Sequence, residues 1–547
     1  MNLSAHRMAA FATCSILALT AHGADRPWVA VLSESSANIA IPNFPSTYTI
    51  SGGGPALAKA GGGELGFLLT NAADKSGHWA VVDGALRQFT AVNRAGALGP
   101  GRLGSEAAHV FFAFPSASNS TGSNNRIFVG QAGSPSQPPT AAPFGVWSFN
   151  GAANMEVARN GNVGALGPNL GAGWQFNITN ANGFARVIPL AGGRVLMQAQ
   201  VDSPSSAFIQ GVVLHTPGSG NQGCAAVGLT GALAPGANLK FNRIDAIAAN
   251  SDSVYMTAQT VDTAFNQASG IWRICEGAPV ARALAKDTGI RGPGLAAGAF
   301  FNTLGEEIDP ASGNTFFFNA NGQYADAVAF DGIFHHDGMS NAPVVLRGVQ
   351  ELLGPRVTNF VFNQFGDLKT QAAGRFGVLK TRINNLVTGE VRFGLWRIAR
   401  GAPAEPLAVV GEAGALAPLA TRRWVEFQNE AILENGDVLT IADTEAVGGS
   451  DPRRSLWRIR PNRTPELLLD IGDRVTVNTT TGPQLVAITA LEPVFEAGPL
   501  QQYGGDDSWV SADGSALIAV RLAGFGTTTF YLRGQATNVV TFADGFE

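Results

Sequence analysis

The sequence predicts an all-β fold, a β-propeller of four-stranded antiparallel blades, and three observations support the prediction. A Gly-Leu-Trp-type string recurs along the chain, and a near-constant period is the signature of repeated supersecondary units. Gly/Pro-rich segments recur between the copies and mark connections, since Gly supplies unusual backbone angles and Pro ends strand pairing. The chain of 547 residues also has 68 Gly and only 14% charged residues, which favours short strands and tight turns. The central residues of the string are Trp79, Trp147, Val213, Trp272, Phe334, Trp396, Trp457 and Tyr531.

The spacing of the string sets the number of units. Neighbouring central residues lie between 59 residues apart, from Val213 to Trp272, and 74 residues apart, from Trp457 to Tyr531. Four-stranded meanders of about 60 residues repeated around a centre describe a β-propeller. Eight central residues favour eight blades. Seven blades plus a divergent terminal module is the alternative, because the last unit is the longest and least regular.

One stretch, residues 394–458, shows the predicted order of strands. A third strand begins at Gly-Leu-Trp-Arg-Ile (394–398), and a short turn leads to a fourth strand at 407–410. The connection Gly-Ala-Leu-Ala-Pro (414–418) steps to the next unit, whose first two strands flank the turn at 435–437, Asn-Gly-Asp. Asn-Gly between β-rich runs is a hairpin signal. A variable loop then leads to the next Trp-containing strand.

Both ends of the chain offer a strand to the last unit. Residues 28–33, followed by Ile41-Pro42, resemble a fourth strand and its connection, but the three strands that should precede them are missing. Residues 539–542 could also serve as a fourth strand. Pairing with either segment would complete the last sheet. A ring closed by an N-terminal strand would protect both edges.

The first 23 residues have the pattern of a secretory signal peptide. His6 and Arg7 form a polar start, residues 8–20 are mainly apolar, and Ala21-His22-Gly23 is a small-x-small cleavage site. We therefore expect a signal peptide at 1–23, the repeat propeller at 24–534 and a C-terminal strand and tail at 535–547. The mature chain has no apolar run of about 18 residues, so no transmembrane segment is expected.

Charge argues against some classes of partner. The formal net charge of −5 and the lack of a run of basic residues give no electrostatic footprint for nucleic acid. The basic residues are mostly Arg, which we interpret as compositional bias. We expect no cofactor and a monomeric protein.

Two cysteines remain after the signal peptide, Cys224 and Cys275. They fall in adjacent units near similar turns, and disulfides form in exported proteins. Either they form a disulfide or they are two small buried residues.

Motifs that would carry chemistry are scarce. No spacing typical of a zinc, calcium or nucleophile site is present, so we predict no metal site and assign no catalytic residue. Acidic pairs remain, at Glu306-Glu307 and at Asp506-Asp507. Trp509 lies outside the recurring positions, and an exposed indole could stack on a sugar. Asp506, Asp507 and Trp509 are therefore the candidate ligand-binding residues.

The repeat resembles a known family. The Gly-Leu-Trp strand, the Gly/Pro connection and turns such as Asn435-Gly436-Asp437-Val438 and Ala512-Asp513-Gly514-Ser515 are similar to the tandem repeats of bacterial exported proteins described by an Asn-x-x-Gly-x-x-Ala-Phe motif. The similarity covers residues 28–534. It implies a fold and an exported location, since that family has no established activity. The ending Asp544-Gly545-Phe546-Glu547 resembles the tail of exported proteins of some gammaproteobacteria, which implies a sorting role.

These observations favour an exported, non-enzymatic β-propeller that acts as a binding scaffold, with a glycan, peptide or cell-surface partner docking on its loops. Two alternatives remain open. The protein could be a secreted polysaccharide-active hydrolase or lyase that uses acidic residues at the channel mouth, or a structural component of the envelope. The expected location is periplasmic, outer-surface or extracellular.

Overall fold

A computed structural model describes most of the repeat region. The described residues are 25–34, 48–57, 65–70, 72, 76–82, 85–101, 106–114, 119–122, 125–180, 183–250, 252–311, 313–370, 374–479, 482–492, 509–511 and 514–536. The predicted signal peptide, the acidic pair Asp506-Asp507 and the tail from residue 537 lie outside them.

In the described residues the strands form eight sheets, and the first four belong to the N-terminal half. Each is an antiparallel meander, and in sheets 2 and 3 two short strands share the first position. The strands are β2 (Thr49–Leu57), β3 (Leu65–Thr70), β4 (Gly77–Val82) and β5 (Ala85–Gln88) in sheet 1; β6 (Val110–Ala113), β7 (Asn119–Gly122), β8 (Asn125–Gly133), β9 (Phe144–Phe149) and β10 (Asn154–Arg159) in sheet 2; β11 (Gln175–Phe176), β12 (Phe184–Pro189), β13 (Val195–Ser203), β14 (Ser206–Thr216) and β15 (Gly220–Ala226) in sheet 3; and β16 (Leu239–Ala249), β17 (Val254–Asp262), β18 (Gln267–Ile274) and β19 (Val280–Leu284) in sheet 4.

Sheets 5 to 7 repeat the same meander, and sheet 8 adds the N-terminal strand. The strands are β20 (Phe300–Ala311), β21 (Thr315–Gln323), β22 (Ala329–His336) and β23 (Asn341–Leu346) in sheet 5; β24 (Phe360–Thr370), β25 (Phe376–Asn385), β26 (Val391–Ala399) and β27 (Ala402–Val409) in sheet 6; β28 (Arg422–Ile432), β29 (Val438–Ala446), β30 (Ser450–Ile459) and β31 (Glu466–Leu469) in sheet 7; and β32 (Arg474–Thr479), β33 (Gly482–Glu492), β34 (Ser515–Leu522), β35 (Thr529–Gln535) and β1 (Asp25–Ser33) in sheet 8.

Each sheet has four strand positions. In sheets 2 and 3 the first position is divided between two short strands, because β6 and β7 both pair with β8, and β11 and β12 both pair with β13. The recurring aromatic or apolar residue always lies in the third position, as predicted, and the five recurring tryptophans are buried. The prediction of an all-β propeller of four-stranded antiparallel blades is confirmed.

The eighth sheet is completed by the N-terminus. Strand β1 pairs antiparallel with β35, with Val29 opposite Arg533 and Ser33 opposite Phe530, so it takes the fourth position. The additional strand β32 pairs with β33 and, in parallel, with β1, which closes this sheet into a small barrel. The chain thus has seven open sheets and an eighth, divergent one. The structure therefore has eight sheets, as the eight recurring residues favour, and the last sheet is divergent, as the irregular last unit of the sequence suggests.

Apolar packing joins the sheets into a ring. A buried cluster joins each sheet to the next from sheet 1 to sheet 8. A further cluster packs Leu32 and Leu517 of sheet 8 against Leu65 and Phe67 of sheet 1. Since every sheet buries both faces, its strands read as apolar runs rather than as a clean alternation.

Residues with positive φ recur at equivalent positions in the connections between sheets. The first residue of this kind in a connection donates its N–H to the first strand of the next sheet: Gly161 to Phe176, Gly228 to Phe241 and Gly411 to Trp424, at N–O distances of 2.8, 2.8 and 3.2 Å. Lys286 fills this position between sheets 4 and 5 with φ 64° and donates to Phe301. The backbone geometry therefore repeats even where glycine does not.

An asparagine at the start of the fourth strand fastens neighbouring connections. The Nδ2 of Asn221 donates to the carbonyl oxygens of Val157 and Leu166 at 3.0 and 2.9 Å, and its Oδ1 lies 2.8 Å from His215 Nδ1. Asn154 and Asn341 do the same in sheets 2 and 5. These buried amides satisfy carbonyls that would otherwise be unpaired.

A disulfide joins Cys224 of β15 to Cys275, which follows β18, so it links sheets 3 and 4. Both residues are buried within the apolar cluster between these sheets.

Candidate functional site

The meander gives the ring two unlike faces. Because strands alternate in direction, the loops from the second to the third strand lie at the end of each sheet where its first strand begins, and we call this end the loop face. The turns from the first to the second and from the third to the fourth strand lie at the other end, which we call the turn face.

The loop face carries large, exposed apolar side chains at equivalent places. Five consecutive sheets, from the third to the seventh, present one or two where the second strand leads into the third, on the connecting loop or, for Phe208, near the start of β14. Phe265 is 85% exposed and Val387 is 75% exposed. We call this set the loop tips: Phe208, Phe265, Val328, Leu386, Val387 and Val447.

Side-chain hydrogen bonds hold the loop tips in place. Asp262 Oδ1 accepts from the backbone N–H of Ala264 and Asn266 at 2.8 and 2.9 Å, which braces Phe265 between them. The same arrangement recurs where Asp202 accepts from Phe208 and Asp326 from Val328. Asn385 Oδ1 accepts from Val387 at 2.9 Å. Asp and Asn close such turns because their short side chains reach the backbone two or more residues ahead.

The pKa of one bracing carboxyl reflects these bonds. The side-chain amide of Asn266 and then its backbone N–H lower the pKa of Asp262 below its ordinary value. The carboxylate is therefore ionised at neutral pH, which keeps it an acceptor for the loop.

Two loop tips adopt a costly backbone conformation. Phe208 and Phe265 have φ of 56° and 65°, a region that bulky residues rarely enter and that costs about 1–3 kcal/mol. Exposed phenylalanines gain no packing there to offset that cost. Such an arrangement is typical of sites where a side chain is aimed at a partner.

The turn face differs in composition. Among the described residues, the turns and strand ends of this face expose three large apolar side chains, Met155, Val280 and Met339. Charged groups on the loop face are largely paired: Arg392 with Glu390 at 2.7 Å and Arg453 with Asp451 at 3.0 Å. The loop face is thus an apolar surface with neutralised charges.

A polar cleft on the turn face lies between sheets 6 and 7. Its volume is about 510 Å³, and it is open to solvent. Four of its lining residues are arginines contributed by two different sheets. The lining residues are Arg397, Asn435, Asp437, Arg458, Arg460, Pro461 and Arg463.

Two of these arginines occupy equivalent positions. Arg397 and Arg458 each follow the recurring tryptophan, and each pairs with a glutamate eight residues later, Glu405 and Glu466, at 2.6 Å. The glutamates lie opposite the arginines in register on the fourth strand. The cleft is thus built from a feature of the repeat that two adjacent sheets share.

The remaining groups of the cleft are unevenly paired. Asp437 Oδ2 lies 4.0 Å from Arg458 Nε and 3.6 Å from Arg460 Nε, and accepts from Asn435 Nδ2 at 3.1 Å. The guanidinium of Arg463 makes no hydrogen bond or ion pair with the described residues.

The ligand-binding residues predicted from the sequence are not gathered into a described site. Trp509 is only 7% exposed and packs in the apolar cluster of sheet 8. This differs from the exposed indole that the sequence suggested, because the backbone carbonyl of Trp509 accepts from the N–H of Leu517, which holds Trp509 beside β34. Asp506 and Asp507 lie outside the described residues.

Histidines are also used structurally. His335 and His336 are buried and lie against Phe317 and Phe316, respectively. No group of three or more His, Cys, Asp or Glu in the described part of the chain is placed to hold a metal ion. None of the helices described there is long and apolar enough to cross a membrane.

The sequence reasoning missed the arginine cleft. Arginine was interpreted as compositional bias because the four residues form no run. The signal that could have found them is the Trp-Arg-Ile string with a glutamate eight residues after its arginine, repeated at 396–405 and 457–466.

Known proteins add limited information. No curated protein sequence matches the chain. The β-propeller domain of the trilobed protease from Pyrococcus furiosus is similar at a TM-score of 0.30 and 9% identity, over 78% of this chain and 97% of that one. S. cerevisiae core factor is similar at a TM-score of 0.16 and 7% identity, over 65% and 58% of the two chains. At these TM-scores neither likeness bears on the fold, which the chain's own sheets establish. A family model matches residues 62–508.

Proposed function

The chain belongs to DUF7453, a family of unknown function whose model spans most of it, and on that premise we propose that it is an exported, non-enzymatic binding scaffold. Its loop face docks on an apolar surface of a protein or peptide partner at the cell surface. The observation that supports this function is the set of loop tips, which five consecutive sheets place on the same face.

The loop tips are preorganised for binding. Side chains that are held before binding lose less conformational entropy when a partner covers them. The Asp and Asn braces and the positive φ of Phe208 and Phe265 supply that order. Burial of one large apolar side chain contributes about 1.5–3 kcal/mol, so a few loop tips suffice for a specific contact.

The chemistry of the loop tips favours a protein or peptide over a glycan. Glycans are recognised by aromatic rings that stack on sugars and by hydrogen bonds to hydroxyl groups. Val328, Leu386, Val387 and Val447 are aliphatic and cannot stack. The nearby charges are already paired. Aliphatic tips fit apolar pockets, as in protein interfaces with buried anchors.

Two features support the exported location. Residues 1–23 have the pattern of a signal peptide. The disulfide between sheets 3 and 4 is a bond that persists in oxidising compartments.

Site-specific photo-crosslinking tests the scaffold function. A photoreactive phenylalanine analogue is placed at Phe265 or at Val387, and, as a control, at Met339, which is 81% exposed on the turn face. We expect the same adduct from both loop-tip positions in intact cells and none from position 339. The adduct at position 265 should weaken when Phe208→Ser is added. Identical adducts at all three positions, or none at the loop tips, would refute the proposal.

A further inference from the structure

We propose that the arginine cleft between sheets 6 and 7 binds an oxyanion, meaning the phosphate, sulfate or carboxylate group of a small ligand. The cleft lies on the turn face, so this inference is independent of the loop tips and stands or falls separately from the scaffold function.

The charge of the cleft favours an anion. Four guanidinium groups converge there, while the carboxylates around them are Glu405, Glu466 and Asp437. One positive charge is left over. Each guanidinium carries five N–H donors, and the side chains of Arg397 and Arg460 each donate one hydrogen bond, to Glu405 and Glu466 respectively. Donors therefore remain available for a ligand.

Arg463 supplies the unpaired charge. It is exposed, and its guanidinium has no partner within the described residues, although it lines the same cleft as the paired arginines. An oxyanion with two or more oxygens matches the fork of N–H donors on such a group.

The floor of the cleft is rigid. The Arg458 side chain is only 3% exposed, donates to the Ala536 carbonyl oxygen at 2.7 Å and donates twice to Glu466. The guanidinium of Arg397 lies 4.8 Å from the centre of the Phe376 ring. Preformed donors need no reorganisation when the anion arrives.

Gly436 keeps the cleft open. It has φ of 85°, and a Cβ at this position would lie 3.1 Å from Arg397 Nη1 and from Phe376. A larger residue would push Arg397 away from its position over the ring. The turn that carries Asn435 and Asp437 therefore fits beside the arginines because glycine lies between them.

The size of the cleft indicates more than a bare ion. A volume of about 510 Å³ falls within the range of about 300–1,000 Å³ typical of small-ligand sites. The oxyanion would be held by the arginines, and the remaining space would take the body that carries it.

Replacing Asp437 distinguishes anion binding from a purely structural role of the arginines. Its carboxylate lies among the arginines and repels an incoming anion, so replacing it with the neutral Asp437→Asn should tighten anion binding. At about 5 Å in water-like surroundings the lost repulsion corresponds to about a fourfold lower Kd. Loss of Arg463 in Arg463→Gln should raise the Kd about tenfold.

The experiment is isothermal titration calorimetry of the full purified chain with sodium phosphate, sulfate and acetate at constant ionic strength in chloride. Arg347→Gln is the matched control, because Arg347 is 54% exposed and follows β23, outside the arginine cleft. We expect saturable binding of at least one anion, weaker in Arg463→Gln, tighter in Asp437→Asn and unchanged in Arg347→Gln. The tightest of the three salts identifies the oxyanion.

Three outcomes would overturn the proposal. These are no saturable binding of any of the three anions, equal weakening by Arg347→Gln and Arg463→Gln, or no tightening by Asp437→Asn. Circular dichroism of each variant shows whether it is folded, so that a failure to bind is not mistaken for a failure to fold.

Discussion

Gly534 of β35 packs against the indole of Trp28 in β1. Replacing Gly534 with alanine therefore tests whether β1 closes the ring. Gly534 lies in β35, beside the N-terminal strand β1. A Cβ on Gly534 would lie 2.4 Å from Cδ2 of the Trp28 indole and 2.7 Å from its Cε2 and Cε3 atoms. Trp28 is 2% exposed and packed in the cluster of sheet 8, so the ring has little room to move.

The expected cost of Gly534→Ala follows from this contact. Overpacking of a filled core costs about 1–3 kcal/mol. The stiffer unfolded chain that alanine gives offsets about 0.4–1 kcal/mol of it. We therefore expect a net loss of about 1–2 kcal/mol in the free energy of unfolding. Trp28→Ala alone should cost about 3–5 kcal/mol, because it empties a large buried site.

The double variant separates this contact from a general effect of the substitution. In Trp28→Ala the added methyl group has no ring to meet, so Gly534→Ala should become neutral or stabilising. Gly236→Ala is the control, since its Cβ would have only ordinary contacts, the closest 3.4 Å from Leu239. It should be neutral or stabilising by up to about 1 kcal/mol, through the stiffer unfolded chain alone.

Urea unfolding followed by far-UV circular dichroism measures these differences. Hydrogen exchange of peptides from β1 and β35 shows whether the loss is local, which matters because a large repeat protein need not unfold in one step. Faster exchange confined to these two strands would support closure by β1. The reasoning is refuted if Gly534→Ala is as stable as the parent, or equally costly with and without Trp28.

Three further predictions concern the interior. Replacing Cys224 with Ser should cost about 4 kcal/mol, because the disulfide to Cys275 closes a loop of 51 residues; equal urea midpoints with and without reductant would contradict this. Burial, reinforced by Arg400, lowers the pKa of His335 to about 4 from 6.5 in the unfolded chain. The contribution of neutral His335 to the free energy of unfolding should therefore be fully present above pH 6.5. The free energy of unfolding should fall by up to about 3 kcal/mol as the pH drops to 4, and this fall should be smaller in His335→Leu. Asn341→Asp removes two donors to buried carbonyls and should cost about 2–4 kcal/mol, measured by thermal unfolding against the exposed control Asn238→Asp.

Several elements of the fold were predictable because their signals are local. The tryptophan string, the Gly/Pro connections and the Asn435-Gly436 turn each set the conformation of a few residues, and their order along the chain predicts the meander. The fourth-strand character of residues 28–33 was also visible, and β1 takes the fourth position of sheet 8. The sequence does not decide whether β1 or residues 539–542 pair with β35, because both are short apolar segments with the character of a fourth strand.

The candidate sites were less predictable. Nothing in the sequence distinguishes Phe208 and Phe265 from other residues near turns, because their exposure and their positive φ depend on the conformation of the surrounding loops. The backbone also overrides composition at Lys286 and Glu351, where non-glycine residues take positive φ in the connections. At Lys286 the hydrogen bond to Phe301 of the next sheet imposes that geometry, and at Glu351 a turn closed by the Gly354 N–H on the Glu351 carbonyl oxygen does so.

The sequence by itself determined the repeat and the strand order within a unit, because both depend on contacts between residues close along the chain, and it favoured eight blades over seven plus a divergent module. The tertiary structure alone decided that β1 completes the ring, that Trp509 is buried and that Arg397 and Arg458 meet in one cleft. Arg397 and Arg458 are equivalent in adjacent units, so the distance between them depends on how two sheets pack. That packing arises from apolar clusters that span the sheets, and no short stretch of sequence encodes it.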